Sequence, residues 1–233
     1  MIRAVLFDLD DTLYPEIDYY RQGFSAVAEE LACRGIGSAE NLLAVLERLH
    51  FADREAVFDR ASEKLGFPHA WVPDLLDRFR NREIRLRLPP ETDAILHALC
   101  PFYRLGIVTD GHAAVQERKL AALGLIGRVD TIVVCDRLGR RHWKPDSLPF
   151  HTACRNLKVR PHEAIFVGDH PHRDIFGAIQ AGLGAIRIRT SVGWFRDRPN
   201  LPEVQPWAEI ERLDQLPEIL RSEIIPVALE AVR

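Results

Sequence analysis

Residues 4–14 read AVLFDLDDTLY. Four apolar residues, Ala4, Val5, Leu6 and Phe7, run into Asp8 and Asp10, with Asp11 directly behind and Thr12 closing the group. A run this short fits a strand buried on both faces better than a helix. Side chains two apart on a strand project to the same side, so Asp8 and Asp10 are placed to share one site where the strand ends. Two like charges that close are costly to bury unless a cation or a proton intervenes. Asp also follows strands as a turn former or helix cap, so a single Phe-Asp pair would carry no message. Three Asp in four positions call for a further reason.

Composition bounds the class. The chain has 233 residues, 47% apolar and 28% charged, enough for a full core in one large domain or one domain with an insert. A formal charge of −3 argues against a general nucleic-acid or membrane-surface binder. Cys33, Cys100, Cys135 and Cys154 are scattered without a CxxC pair, which suggests neither a zinc ribbon nor a disulfide framework and fits reduced thiols in the cytoplasm. The motif strand begins at once, leaving no room for a leader, and no uncharged apolar stretch approaches membrane-spanning length. The expectation is a soluble cytoplasmic protein, with oligomeric state, monomer or dimer, unread.

After Pro15 the texture turns helical as far as Pro89. A helix is expected over 19–33, ending at Gly35; a second is capped by Ser38 and carries Leu42, Leu43, Leu46 and Leu49; a third spans 52–65 and stops at Gly66; a fourth follows Pro73. Some 70 residues of helix are too many for an ordinary crossover, so 16–88 is expected to be a separate helical domain inserted into a core made of 1–15 and 89–233. Beyond Pro89 and Pro90 strand and helix alternate. Strands are expected at 103–108, 131–135, 164–167 and 185–188, with an edge strand at 208–211, and helices at 113–123, 147–157 and 174–181, plus a last one opened by Asp214 and Pro217. Repeated βα units imply an α/β fold with a doubly wound parallel sheet, in which ligands sit beyond the carboxyl ends of the strands.

The informative residues fall there. Thr109, Asp110 and Gly111 close the second strand as a plausible phosphate cradle, although TDG is also an ordinary turn. Lys144 and Pro145 lead into the helix at 147, and Gly168, Asp169 and Asp174 close the strand at 164–167. Asp8, Asp10 and Thr12 match the DxDxT signature of the haloacid dehalogenase (HAD) superfamily. Thr109, Lys144 and the GDxxxxD run from Gly168 to Asp174 resemble its second, third and fourth motifs in the correct order. The chain therefore resembles a phosphatase-like HAD hydrolase with a Rossmann-like core and an α-helical cap inserted after the first motif.

That resemblance implies a Mg²⁺-dependent phosphomonoester hydrolase acting on a small phosphorylated metabolite. Asp8 is the expected nucleophile, forming an aspartyl-phosphate, and Asp10 the acid that protonates the leaving oxygen and then the base for the attacking water. Asp8, Asp10 and Asp169 are the expected metal ligands, an oxygen set suited to a hard cation. Thr109, Asp110 and Lys144 are assigned to phosphate, with Thr12, Gly111, Gly168 and Asp174 in support. A 2-haloacid dehalogenase is the nearest rival; in the family pattern it lacks the second Asp, which this chain keeps as Asp10. A phosphomutase, or a non-catalytic binding or regulatory protein on the same fold, are the others. His170 and His172 invite a zinc site, but the Asp cluster is a poor match for zinc and loop histidines are more often exposed or substrate-facing. The roles of His112, His170 and His172 stay open. Arg187, Arg189, Arg196 and Arg198 near Trp194 and Phe195 read as a solvated edge, or as charged neighbours of a packed aromatic pair. Arg78, Arg80, Arg82, Arg85 and Arg87 read as exposed helix charge, with one or two of them able to reach the site from the cap.

Overall fold

A computed structural model of the chain describes residues 1–222; the part of the expected core at 223–233 lies outside the described residues. The chain divides into two compact units, one made of Met1–Glu16 and Arg87–Arg233 and the other of Ile17–Leu86.

The first unit is built on a six-stranded sheet in the order β3-β2-β1-β4-β5-β6, every neighbouring pair parallel. Its strands are β1 (Ala4–Phe7), β2 (Arg104–Thr109), β3 (Thr131–Val134), β4 (Ala164–Gly168), β5 (Gly184–Ile188) and β6 (Ala208–Ile210). β1 is buried at every position, as a strand covered on both faces must be. The order reverses direction at β1, between β2 and β4, which is the switch point where a doubly wound sheet opens a crevice. One apolar core cluster joins Leu6, Val108 and Phe166 of the sheet to Phe150, Ala153 and Cys154, with the Phe150 and Phe166 rings edge to face at 5.0 Å.

The second unit is helical: α1 (Glu16–Cys33, its first residue still in the other unit), α2 (Ala39–Ala52), α3 (Val57–Leu65) and α4 (Val72–Asn81). Ser38 caps α2, accepting from the Asn41 amide. The helix expected over 52–65 is not continuous. α2 itself runs through Ala52, Asp53 turns the chain by accepting from the Glu55 amide, and Ala56 takes a left-handed conformation before α3 begins. Tyr19, Phe24, Phe58 and Phe79 are buried in one aromatic cluster together with His50. Arg82 is no exposed helix charge: it lies beyond α4, donates to the Tyr19 and Phe79 carbonyls, and its guanidinium sits 4.3 Å from the Tyr19 ring centroid.

The sheet unit carries α5 (Pro90–Leu99), α6 (Ala113–Ala122), α7 (Ser147–Leu157), α8 (Gly177–Gln180) and α9 (Leu216–Ser222). α5 was not expected; Pro90 opens it as its first residue, where a missing amide costs nothing. The helix expected from 174 starts earlier, as a π-helical turn at Pro171–Phe176 that runs into α8. His170 explains the early start, because its Nδ1 accepts from the His172 and Arg173 amides at 3.1 Å each. Among the described residues no helix is long and apolar enough to cross a membrane.

Candidate active site

β1, β2 and β4 end side by side, Phe7 registering with Ile107 on one flank and Val167 on the other. Asp8 leaves β1 with its amide still donating to the Val167 carbonyl at 2.9 Å, so its carboxylate projects from the middle of the sheet's carboxyl edge. Lys144 meets it there. The Lys144 Nζ donates to Asp8 Oδ1 at 2.6 Å, to Asp174 Oδ1 at 2.7 Å and to the Val108 carbonyl at 3.2 Å, all three side chains being buried. The loop that delivers Lys144 is pinned by its own amide, which donates to Asp110 Oδ1 at 3.0 Å. Asp110 therefore holds the loop that carries the lysine.

Asp169 follows β4, and Asp174 reaches back from the π-helical turn to accept from the His170 amide at 2.9 Å. Asp8, Asp169 and Asp174 each present an oxygen within 4.8 Å of the others. Gly168 makes that approach possible, because a Cβ there would lie 2.6 Å from the Asp174 carboxyl carbon. The metal ligands expected were Asp8, Asp10 and Asp169, with Asp174 in support; the group the structure brings together has Asp174 in place of Asp10.

Asp10 has partners of its own. Its Oδ1 accepts from the Tyr14 hydroxyl at 2.5 Å and the Lys119 Nζ at 2.8 Å, and its Oδ2 from the Gln116 amide nitrogen at 2.9 Å. Lys119 also lies 3.7 Å from Glu16. The same Gln116 nitrogen donates to the Thr109 hydroxyl at 2.7 Å. Gly111 lies close by with φ +120°, a conformation side chains avoid, and a Cβ on it would press on the Gln116 side chain at 3.1 Å. Asp11, in a left-handed conformation that Asp tolerates, accepts from the Glu16 and Trp194 amides at 2.9 and 3.1 Å, tying the motif loop to the segment after β5. The Thr12 hydroxyl is buried without a partner.

The electrostatics follow from this division. Burial pushes the Asp8 carboxyl well above its ordinary value, with Lys144 pulling it back and Asp174 and Asp10 pushing further. Burial does the same to Asp169, reinforced by Asp174, Asp8 and Asp11. For Lys144 burial works against the charged form, yet Asp174, Asp8 and Asp110 outweigh it and hold the ammonium well above its usual range. Asp10 is also buried, which alone would raise it, but Lys119, Tyr14 and Gln116 bring it below the ordinary value. A net excess of carboxylate around Asp8 and Asp169, with only oxygen donors, is the environment a hard divalent cation fits.

Several sequence-marked residues sit elsewhere. His112 and His172 are exposed. His170 is neither exposed nor set out for a ligand through Nδ1; it is buried against the Phe195 ring at 4.1 Å, and burial lowers it to about 4. Arg187 is not a solvated edge but fully buried, donating to the Asp169 carbonyl at 3.3 Å and to the carbonyls of Phe195 and Arg198 at 2.8 and 2.6 Å. Gln116 and Lys119 belong to none of the motifs. Their signal was present: 116, 119, 120 and 123 form the i, i+3, i+4, i+7 stripe of a buried helix face, and two of the four are polar.

The sequence profile of the haloacid dehalogenase-like hydrolase family matches residues 5–188. The chain belongs to that family. Among its relatives, a glyceraldehyde 3-phosphate phosphatase from Methanopyrus kandleri is 30% identical over 232 residues, covering 95% of this chain and 98% of the relative. A 2-haloacid dehalogenase from Pseudomonas syringae pv. Tomato DC3000 superposes with a TM-score of 0.62 at 33% identity, over 95% of this chain and 99% of that one. YfnB from Bacillus subtilis, crystallised bound to magnesium, gives a TM-score of 0.69 over 94% and 98% of the two chains. At 23% identity it bears on the fold alone.

Proposed function

We propose that the protein is a Mg²⁺-dependent phosphatase that hydrolyses a small phosphomonoester through a phosphoaspartate on Asp8. The observation that carries this is the division of the two motif acids: Asp8 lies with Lys144, Asp169 and Asp174, while Asp10 is held apart by Tyr14, Gln116 and Lys119. Two carboxylates two residues apart are thereby given different environments, which is how one site supplies a nucleophile and a proton-transfer group.

Asp8, Asp169 and Asp174 are the residues that would hold Mg²⁺, which when bound supplies positive charge that offsets the repulsion between carboxylate and phosphate. An Asp8 oxygen forms the bond to phosphorus as the bond to the leaving oxygen breaks, the electron pair departing with that oxygen. Lys144 remains beside Asp8 throughout as a fixed cation. The Thr109 hydroxyl accepts from Gln116 and donates to the Asp110 carbonyl at 3.4 Å, a long bond that it exchanges for one to a phosphate oxygen. Asp10 is assigned the proton for the leaving oxygen and, afterwards, the proton of the water that cleaves the acyl phosphate. Its donors favour the carboxylate in the free protein, and a phosphate dianion brought beside it raises its proton affinity for the first step. Phosphate leaves and Asp8 is restored as a carboxylate.

The helical unit is proposed as the cap that selects the leaving group. The name of the Methanopyrus kandleri relative makes glyceraldehyde 3-phosphate the first compound to try. Release of inorganic phosphate from a panel of three-carbon, sugar and nucleoside monophosphates, with Mg²⁺ and with chelator, tests the activity. Asp8→Asn should abolish both turnover and the phosphorylated peptide seen by rapid quench and mass spectrometry. Full turnover in chelator, or phosphate on a residue other than Asp8, would refute the mechanism. The likeness to a 2-haloacid dehalogenase supports a second reading, to be checked by halide release from 2-chloropropionate. Halide release without phosphatase activity would replace the first reading with the second.

A further inference from the structure

The Asp10 carboxylate accepts from one face of α6 together with Tyr14 of its own loop. Gln116 and Lys119 are one turn apart on α6, both buried, and between them they reach both oxygens of a carboxylate more than a hundred residues away in sequence. Burying an amide and an ammonium on a core-facing stripe has a cost that apolar residues would avoid, so their presence there needs a reason beyond packing. The bonds supply one. Lys119 and Tyr14 fix Oδ1, Gln116 fixes Oδ2, and Gln116 also fixes the Thr109 hydroxyl at the end of β2.

We propose that Gln116 and Lys119 are positioning residues for the reaction: they lock the Asp10 carboxylate, and through Gln116 the Thr109 hydroxyl, in one arrangement, and they act on the chemistry through those two groups. This rests on the phosphatase assignment for its chemistry, though not for its geometry. Carboxylate orientation matters most in hydrolysis of the phosphoaspartate, where Asp10 takes a proton from water and no good leaving group substitutes for it. Formation of the phosphoaspartate from nitrophenyl phosphate needs little acid help, because the phenolate leaves unaided. A lysine that served only packing would affect both steps alike.

The test uses the full chain with Mg²⁺ and nitrophenyl phosphate under rapid quench. In Lys119→Met, hydrolysis of the phosphoenzyme should slow by roughly 10- to 100-fold, part of the 10²–10⁴ that a proton-transfer group contributes, while its formation changes less than ~3-fold, so a burst appears. Lys119→Arg should restore most of the lost rate. Gln116→Leu should slow hydrolysis and also raise KM, since it frees Thr109. In an Asp10→Asn background, Lys119→Met should cost nothing further, because the group it acts through is already gone. That double variant also stands in should the single one fold poorly, as both members of the pair are removed together. Equal slowing of both steps, or an undiminished loss in the Asp10→Asn background, overturns the proposal. A crystal structure of Lys119→Met gives an answer independent of turnover: a displaced Asp10 carboxylate supports the role and an unmoved one refutes it. Wild type that releases no phosphate from any substrate would count against the phosphatase assignment alone, with the crystal structure still deciding the positioning role.

Discussion

Lys144→Met is the perturbation whose size follows most directly from the structure. Its ammonium is the cation shared by Asp8 and Asp174, 2.6 and 2.7 Å away, and the side chain is almost inaccessible to water. Met fills a similar volume but leaves two carboxylates buried, with Asp169 beside them, without the ammonium they share. Removing one partner of such a buried group costs about 3–5 kcal/mol, and for a chain of this length each kcal/mol moves the melting midpoint by about 2–4 °C. A fall of ~6–20 °C is therefore expected in chelator, by differential scanning calorimetry. The loss should shrink on acidification, since Asp8 already sits above its ordinary value through burial and would take up a proton more readily still without Lys144. It should also shrink with millimolar Mg²⁺, which replaces part of the missing charge. The double variant with Asp174→Asn should lose less than the sum of the single effects, because the two side chains share one interaction. A midpoint within ~3 °C of wild type in chelator at pH 8 would show that Lys144 does not carry the compensation assigned to it.

Asp169→Asn should stabilise the metal-free protein by about 0.5–2 kcal/mol while abolishing activity. Burial raises the Asp169 carboxyl, so its favourable contribution is complete below the unfolded value and lost as pH rises through the folded one; the advantage of Asn should be largest at neutral pH and vanish toward pH 3 in thermal melts. Burial lowers His50 and His170 from 6.5 to about 4, so each binds its proton less well folded than unfolded. Stability should be full above pH 6.5 and fall by on the order of 1–3 kcal/mol per histidine toward pH 4, with both rings neutral by NMR at pH 6. Gly168→Ala places a methyl 2.6 Å from the Asp174 carboxyl carbon and should lower phosphate release by roughly 10²-fold, the scale of a misplacement near 1 Å; wild-type kcat would contradict the packing.

The features legible in the sequence were those that depend on neighbours along the chain. β1 was legible because an apolar run followed by acids has few alternatives, β2 because a short apolar segment ends in a turn signal ahead of a helix, and β4 and β5 because each is a short apolar segment between helix signals. The left-handed turn at Ala56 was not, since nothing in Ala itself announces that conformation. α5 was hidden because paired prolines suggest a loop, although the second of them is well suited to open a helix. Arg187 was misplaced for a different reason: arginine is rarely buried, and the carbonyls that satisfy it come from a segment about ten residues on, whose path the sequence does not reveal.

The site shows the same boundary between local and distant information. Asp8 and Asp10 were marked by their spacing, and like charges at that spacing led directly to a cation between them. The structure answers the repulsion in another way first, giving each acid its own lysine: Lys144 for Asp8 and Lys119 for Asp10. With separate lysines, burial and repulsion raise Asp8 while Lys119, Tyr14 and Gln116 lower Asp10. Those directions describe the metal-free protein, and the lowering of Asp10 depends on two residues of α6 that no motif contains. Exchanging their character, an apolar residue at 119 with Asp10 retained, should therefore damage the chemistry more than it damages the fold.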